Sequence, residues 1–407
     1  MSKNCVFTIC SHNYLAQALT LKESFIRYNS EDFKIFLADS PIDNGDYICL
    51  NEEWIPKWRS MAFKYNITEF NTSIKPFCFS YLFKMGYDKV IYLDPDIFVT
   101  DSLNIIWKAL DSKSIILTPH ICDINIVESK EYRERELLQD GICNLGFCAI
   151  KNNEIGECIV EWWKNRLQDQ CFNEKDEGLF TDQKWMMFIP VFFPDHTLIS
   201  HNFGLNVAVW NLPERQLEVV DEKYYIRRKK DRSLTPLIFF HFSGFNPRSP
   251  KYLTRRKPDI NIETYPSFRP ILKEYSEIIM HNGYDNYSSK TYGFSSFSNG
   301  LEILPFQRRL YRVYYENNGG DESDPFNVDS PFYKRLKKRG LVSNKKNVIA
   351  EISKEKRTSH AIEEKYVHPI LIFVSRILGI SKYSLLIKLF KHLSKLEYHY
   401  FLLKDRV

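Results

Sequence analysis

Two carboxylates and an imidazole define the chemistry open to this sequence. In Tyr92-Leu93-Asp94-Pro95-Asp96-Ile97-Phe98-Val99 a hydrophobic strand runs directly into Asp94 and Asp96. Pro95 fixes its own φ and restrains Asp94 toward extended conformations, so both carboxylates can face one side at a sheet edge. Close like charges are costly unless a cation or a shared proton compensates. Hard divalent ions take one or two carboxylates and complete their shell with water and phosphate oxygens. A third ligand candidate is His241, in Phe239-Phe240-His241-Phe242-Ser243-Gly244-Phe245. An imidazole among aromatics is more often a core histidine, but the Ser243-Gly244 that follows lets backbone approach a phosphate. Mn²⁺ accepts mixed oxygen and imidazole ligation better than Mg²⁺ does.

Three further segments put polar groups beside glycines or at helix starts. They are Cys143-Asn144-Leu145-Gly146-Phe147, Gly178-Leu179-Phe180-Thr181-Asp182-Gln183-Lys184-Trp185 and Asn206-Val207-Ala208-Val209-Trp210-Asn211-Leu212-Pro213-Glu214-Arg215. Asp182 reads either as a site carboxylate or as a first-turn acid of a helix. Amides alternating with a tryptophan, Asn211 among them, suit sugar hydroxyls. They suit equally a loop that satisfies its own backbone.

The elements that must position these groups alternate strand with helix. Val6–Cys10, Phe33–Ala38 and Lys89–Leu93 read as strands, and Leu15–Tyr28 and Phe77–Met85 as helices. That order argues for an α/β fold with a mainly parallel sheet and helices on both faces. In such sheets ligands collect outside the carboxyl ends of the strands, which directs attention to Thr8, Asp39 and the Asp94–Asp96 pair. Further on, Gly156–Leu167 reads as a helix and Ile238–Phe242 as a strand. The serine-rich stretch 284–299 reads as a loop or lid, and 317–324 as a linker.

The ordered set Asp94-Pro-Asp96, Asn144-Leu-Gly146, Asp182-Gln183 and His241-Phe-Ser-Gly244 resembles GT-A-fold nucleotide-sugar glycosyltransferases. It is most similar to the retaining, glycogenin-like (family 8-like) branch, and within it to bacterial enzymes of surface-polysaccharide assembly. The resemblance covers roughly residues 4–265. It implies a GT-A (Rossmann-like) domain over 1–265; pattern and charge beyond it read as a helical and loop extension with linker over 266–330 and a basic amphipathic helical tail over 331–407. It implies a hexosyltransferase moving sugar from a nucleotide-sugar donor, UDP-sugar favoured, to a glycan or lipid-linked acceptor. Asp94, Asp96 and His241 would hold Mn²⁺ (or Mg²⁺) against the donor diphosphate, and Thr8 and Asp39 would contact the nucleoside. Lys75 would lie near the phosphates or sugar. Asn144, Gly146, Asp182 and Gln183 would line the donor sugar, with Asp182 as the catalytic carboxylate; Asn211 and Gly244 complete the substrate contacts. The branch continues to a lysine where Pro247 stands here, so Arg248 or Lys251 would replace that diphosphate contact. If the reaction inverts, Asp182 or Glu214 would deprotonate the acceptor hydroxyl.

Composition bounds these readings. With 407 residues, 44% of them hydrophobic, the chain can bury a sizeable core, and 15 glycines and 18 prolines exclude a disordered or collagen-like chain. The aromatic share suits sugar binding and an AT-rich coding bias alike. From Pro331 onward 18 Lys and Arg oppose 6 Asp and Glu, leaving the first 330 residues at −7 against a total of +5. A basic tail on a mildly acidic body suits an anionic membrane surface and gives no sign of a nucleic-acid partner. Leu385, Leu386, Leu389, Phe390, Leu393 and Leu396 recur at helical spacing, whereas the apolar run Pro369–Ile380 is too short to span a bilayer. Nine cysteines without a CxxC pair, and no signal-peptide layout at the N-terminus, point to the cytoplasm. With this tail the expectation extends to the inner face of the cytoplasmic membrane. A sugar nucleotidylyltransferase would need a glycine-rich, arginine-containing loop after the first strand, and Ser11–Ala16 is no such loop. The reading from another class is a non-enzymatic carbohydrate- or membrane-binding protein on the same scaffold.

Overall fold

The first strand shows how the sheet acquires two covered faces. In β1 (Asn4–Cys10) Val6 joins an apolar cluster with Leu21 and Phe25 of the helix Leu15–Ile26 and with Ile106, Trp107 and Leu110 of the helix Asn104–Ser112. Its neighbour Phe7 points the other way, as the two-residue period of a strand requires. Phe7 meets Phe79 of the helix Lys75–Lys84 edge-on at 4.9 Å. Phe79 in turn lies 6.4 Å from Trp163 of the helix Glu154–Gln170. This computed structural model describes residues 3–42, 46–124, 134–320, 323–342 and 367–404. Of the expected tail, 343–366 and 405–407 lie outside the described residues, as do two residues of the expected linker.

The remaining strands of the central sheet are β2 (Asp32–Leu37), β3 (Tyr47–Cys49), β4 (Lys89–Leu93), β6 (Ile115–Pro119) and β7 (Cys143–Lys151), with Thr197–Ile199 at one edge. From that edge the order is Thr197–Ile199, β6, β7, β4, β1, β2, β3. All neighbours are parallel except β7, which runs against both β6 and β4. The expected α/β fold with a mainly parallel sheet is therefore present. The reversed strand matters most for the site, because its first residues start where β4 and β6 end.

A second, three-stranded sheet joins β5 (Ile97–Val99) to Phe239–His241 and Val207–Ala208. Behind it Phe98, Phe240 and Phe242 pack with the helix Arg269–His281, and Phe242 stacks on Tyr275 at 3.8 Å. These elements belong to a first compact unit formed by 1–56 and 67–292.

The second unit takes 57–66 and 293–407. Its described core is aromatic, with Phe63 surrounded by Phe297, Tyr311, Phe326 and Phe332 at ring distances of 4.8 to 5.7 Å. The buried Arg308 donates to the carbonyls of Ala62, Phe63, Tyr65 and Phe294. The tail departs from expectation in its apolar part. The apolar run Pro369–Ile380 ends before Lys382 in sequence, whereas two helical stretches joined at a kink at Gly379 extend from His368 to Leu393. Together they are long and apolar enough, by length and composition, to cross a membrane, and none of their residues is buried. The segment Leu396–Leu403 then returns to the helix Pro305–Asn317, where Glu397 faces Arg309 and Arg312 and Leu403 is buried.

Candidate functional site

Strand pairing, not proximity in sequence, assembles the site. In the β4–β7 register Leu93 faces Phe147, so the amide N–H of Asp94, one residue past β4, donates to the Gly146 carbonyl at 2.7 Å. In the second sheet His241 lies opposite Ile97, and the N–H of Phe242 donates to the Asp96 carbonyl at 2.8 Å. The second pairing brings ligand atoms of Asp94, Asp96 and His241 within 4.8 Å of one another, and the first sets Gly146 beside them. His241 Nε2 stands 3.2 Å from Asp96 Oδ1 and 3.7 Å from Asp94 Oδ2.

The imidazole is fixed by a residue that sequence reasoning quoted but did not assign. Asn206 is fully buried with a left-handed φ of 50°, a conformation asparagine tolerates better than most residues. Its amide hydrogens go to Thr118 Oγ1 at 2.8 Å and Asn144 Oδ1 at 3.0 Å. Its oxygen is then the atom left for His241 Nδ1, at 3.2 Å. That bond sets the tautomer and turns Nε2 toward the carboxylates, as ligating histidines require. Trp210 packs edge-on against the same ring at 5.2 Å. A Cβ at Gly146 would come within 2.4 Å of His241 Cε1. Gly146 is thus a glycine because the imidazole occupies the place of its side chain.

Charge binds the cluster further. Burial would raise the Asp96 carboxyl, but His241, and beyond it Arg256, hold it below the usual carboxylate range. Burial alone would lower His241, and Asp96 with Asp94 outweigh that and raise it. Two carboxylates and an imidazole nitrogen with a pinned tautomer are a donor set that fits a hard or borderline divalent ion. Tyr92 donates its hydroxyl to Asp94 Oδ1 at 2.5 Å.

Beside the cluster, Lys75 is buried and donates to Asp182 Oδ2 and to the Leu145 carbonyl, both at 2.8 Å, with Asp94 Oδ1 at 3.8 Å. Burial opposes its charge, and Asp182 and Asp94 outweigh the burial, so the ammonium is held above its ordinary value. Burial pushes Asp182 above the carboxylate range, an effect Lys75 partly offsets. Thr181, before it, has a left-handed φ of 46°. Backbone strain of this kind gathers at functional sites.

The other expected residues divide into groups. Asn144 Oδ1 accepts from Gly146 N and Asn206 Nδ2, and Gln183 Oε1 accepts from the Leu145 N–H at 3.3 Å, so both shape the start of β7. Asn211 Nδ2 donates to the carbonyls of His120 and Asn206, behind the imidazole. Gly244 lines a recess of about 10 Å³ with Asp96 and Tyr14. Asp39 accepts from the N–H groups of His12 and Ser40, one turn of chain from Tyr14. Thr8 lies inside β1, wholly buried, with no hydrogen-bond partner for its hydroxyl among the described residues. Glu214 accepts from the N–H groups of Cys122 and Asp123 and pairs with Arg215. Arg248 is exposed and paired with Asp285. A cation that sequence reasoning missed stands beside Gly244. A Cβ on Gly244 would lie 3.5 Å from Arg256 Nε, and no hydrogen bond or ion pair engages that guanidinium among the described residues.

No family model matches the chain. Among curated proteins it is similar to two uncharacterised proteins of Bacillus subtilis (strain 168). YfnF is 31% identical over 160 residues, 39% of this chain and 50% of YfnF. YfnD is 24% identical over 253 residues, 58% of this chain and 76% of YfnD. The chain thus spans half the length of YfnF. Among solved structures it is similar to the galactosyltransferase LgtC in complex with donor and acceptor sugar analogs. Identity there is 17% and the TM-score 0.40, over 67% of this chain and 95% of LgtC.

Proposed function

We propose that the protein is a metal-dependent glycosyltransferase. It moves a hexose-type sugar, with retention, from a nucleotide-sugar donor, UDP-sugar favoured, to a glycan or lipid-linked acceptor in bacterial surface-polysaccharide assembly. The observation that carries this reading is the convergence of the Asp94-Pro95-Asp96 carboxylates with His241, which lies well over a hundred residues further along the chain. Those residues would hold Mn²⁺ or Mg²⁺, which when bound supplies Lewis-acid stabilisation of the departing diphosphate. Breaking a sugar–phosphate bond develops negative charge on the nucleoside diphosphate, and a cationic side chain aimed at that charge lowers the barrier. We assign this role to Arg256, beside Gly244 and acting on Asp96, in preference to Arg248, which pairs with Asp285. As the anomeric carbon becomes oxocarbenium-like, a nearby carboxylate favours it. We assign that role to Asp182, held by Lys75; Glu214 enters only as the acceptor base of an inverting reaction, and its oxygens accept from backbone N–H groups and pair with Arg215.

The unburied apolar helix His368–Leu393, with Lys382, Lys388 and Lys391 along it, supports peripheral attachment at the inner face of the cytoplasmic membrane. The test is thermal stability against UDP-, GDP- and dTDP-sugars, each with Mn²⁺ and again with excess chelator. A metal-dependent rise with one nucleotide class, absent in Asp96→Ala, is expected. No rise with any donor in a folded sample overturns the reading.

A further inference from the structure

Outside the carboxylate site the first unit carries a second concavity, of about 650 Å³, that the proposed chemistry does not use. Its rim holds four cations, Arg248, Lys251, Arg269 and Lys273, against one lining carboxylate, Glu277. Arg248 is paired with Asp285, and Lys273 stands 3.9 Å from Glu277. Neither Lys251 nor Arg269 forms an ion pair among the described residues. The floor differs from the rim. Ile262, partly buried, and the buried Leu272 line it. A cationic rim over an apolar floor matches a molecule that is anionic at one end and apolar at the other.

The place of this cavity ties it to the site. The helix Arg269–His281 lines both: Tyr275 and Ile279 face the recess beside Asp96, while Leu272 and Ser276 face the cavity. Ser276 Oγ donates to the Pro247 carbonyl at 3.0 Å, which pins the segment between Gly244 and Arg248 to that helix. Gly244 lines the recess and Arg248 the cavity. Four residues of extended chain reach at most about 14 Å, so the two concavities are neighbours.

We infer that this cavity binds the acceptor, and that the acceptor is an amphipathic phosphate or diphosphate ester: phosphate on the cationic rim, apolar group on the Ile262–Leu272 floor. The inference rests on the reading of the carboxylate site as a sugar-transfer site and narrows its acceptor to a phosphate-bearing one. Exposed cations act on such a ligand through charge that salt screens, so binding weakens as ionic strength rises.

The test uses the full chain in excess chelator, so that the carboxylates cannot hold a diphosphate through a metal. Calorimetric titrations with geranyl diphosphate, inorganic pyrophosphate and geraniol separate the sources of affinity. Geranyl diphosphate is expected to bind at least tenfold more tightly than pyrophosphate, and geraniol not to bind. Arg269→Glu with Lys273→Glu is expected to weaken geranyl diphosphate at least tenfold. Lys108→Glu, a charge reversal on an exposed helix elsewhere, is expected to leave it unchanged. Pyrophosphate binding as tightly as geranyl diphosphate overturns the amphipathic class. A paired reversal that folds, by circular dichroism, and binds as the parent does overturns the site. The metal-dependent donor response, measured separately on the parent protein, judges the sugar-transfer reading whatever these titrations give.

Discussion

Substituting Gly146 by alanine tests the site at the point where packing and ligation meet. The added Cβ would lie 2.4 Å from His241 Cε1, 2.7 Å from His241 Nδ1 and 2.8 Å from Asn144 Oδ1. Ordinary contact begins near 3.4 Å, so the imidazole must retreat by about 1 Å. Metal ligands tolerate departures of roughly 0.2 Å, a fifth of that. The retreat also stretches the 3.2 Å bond from Nδ1 to Asn206 that orients the ring. Mutating such an orienting partner typically costs 10- to 100-fold in metal affinity, and that range is expected for Mn²⁺ binding by Gly146→Ala. Overpacking a filled interior should remove about 1–3 kcal/mol of stability as well. Mn²⁺ titration with calorimetric or electron-paramagnetic detection reads the first effect, and urea denaturation the second. Repeating the substitution in a His241→Ala background isolates the cause, since the stability penalty should shrink once the ring is gone and only Asn144 remains in the way. Parental Mn²⁺ affinity in Gly146→Ala, or an equal penalty in both backgrounds, would refute the argument.

Three further outcomes follow from the same geometry. Lys75→Met leaves Asp182 buried without its partner, and loss of one member of a buried pair costs about 3–5 kcal/mol, measurable as a shift in the urea midpoint. Burial lowers His120 to about 4, so the folded state stays neutral while the unfolded chain protonates near pH 6.5. Its contribution is therefore present above pH 6.5 and lost as pH falls toward 4; urea stability of the parent should drop over that window by on the order of 3 kcal/mol more than that of His120→Asn. Arg256→Ala should weaken metal-dependent nucleoside diphosphate binding several-fold, and Arg248→Ala should not; the reverse ranking in a competition titration would displace Arg256 from the proposed role.

The local motifs were legible because each ligand sits at a strand exit announced by an apolar run: Lys89–Leu93 before Asp94, Phe239-Phe240 before His241. Their convergence was not, since it depends on β5 pairing with Phe239–His241, and no short-range pattern encodes that long-range register. Gly146 was expected at a donor sugar, while its missing side chain is what seats the imidazole. Asn206 stood in a quoted segment, but its orienting role needs a left-handed backbone that one asparagine among many does not announce. Arg256 comes fifteen residues after His241 in a stretch without apolar periodicity, and only the turn around Gly244 brings it back. In sequence the apolar run ends at Ile380 because Ser381 and Lys382 follow, whereas helical backbone resumes after the non-helical Gly379 and runs on to Leu393.

That break at Gly379 has a mechanical consequence. Its φ of 70° and ψ of 162° lie outside the helical region, so His368–Leu378 and Ile380–Leu393 are two rods with a joint between them. At 1.5 Å per residue they measure about 16 Å and about 21 Å. Each is shorter than the roughly 30 Å hydrocarbon thickness of a bilayer, though together they would exceed it. A jointed pair of this length matches a single leaflet in depth. In the proposed peripheral attachment each rod would lie within one leaflet, while the following segment Leu396–Leu403 is held against the helix Pro305–Asn317.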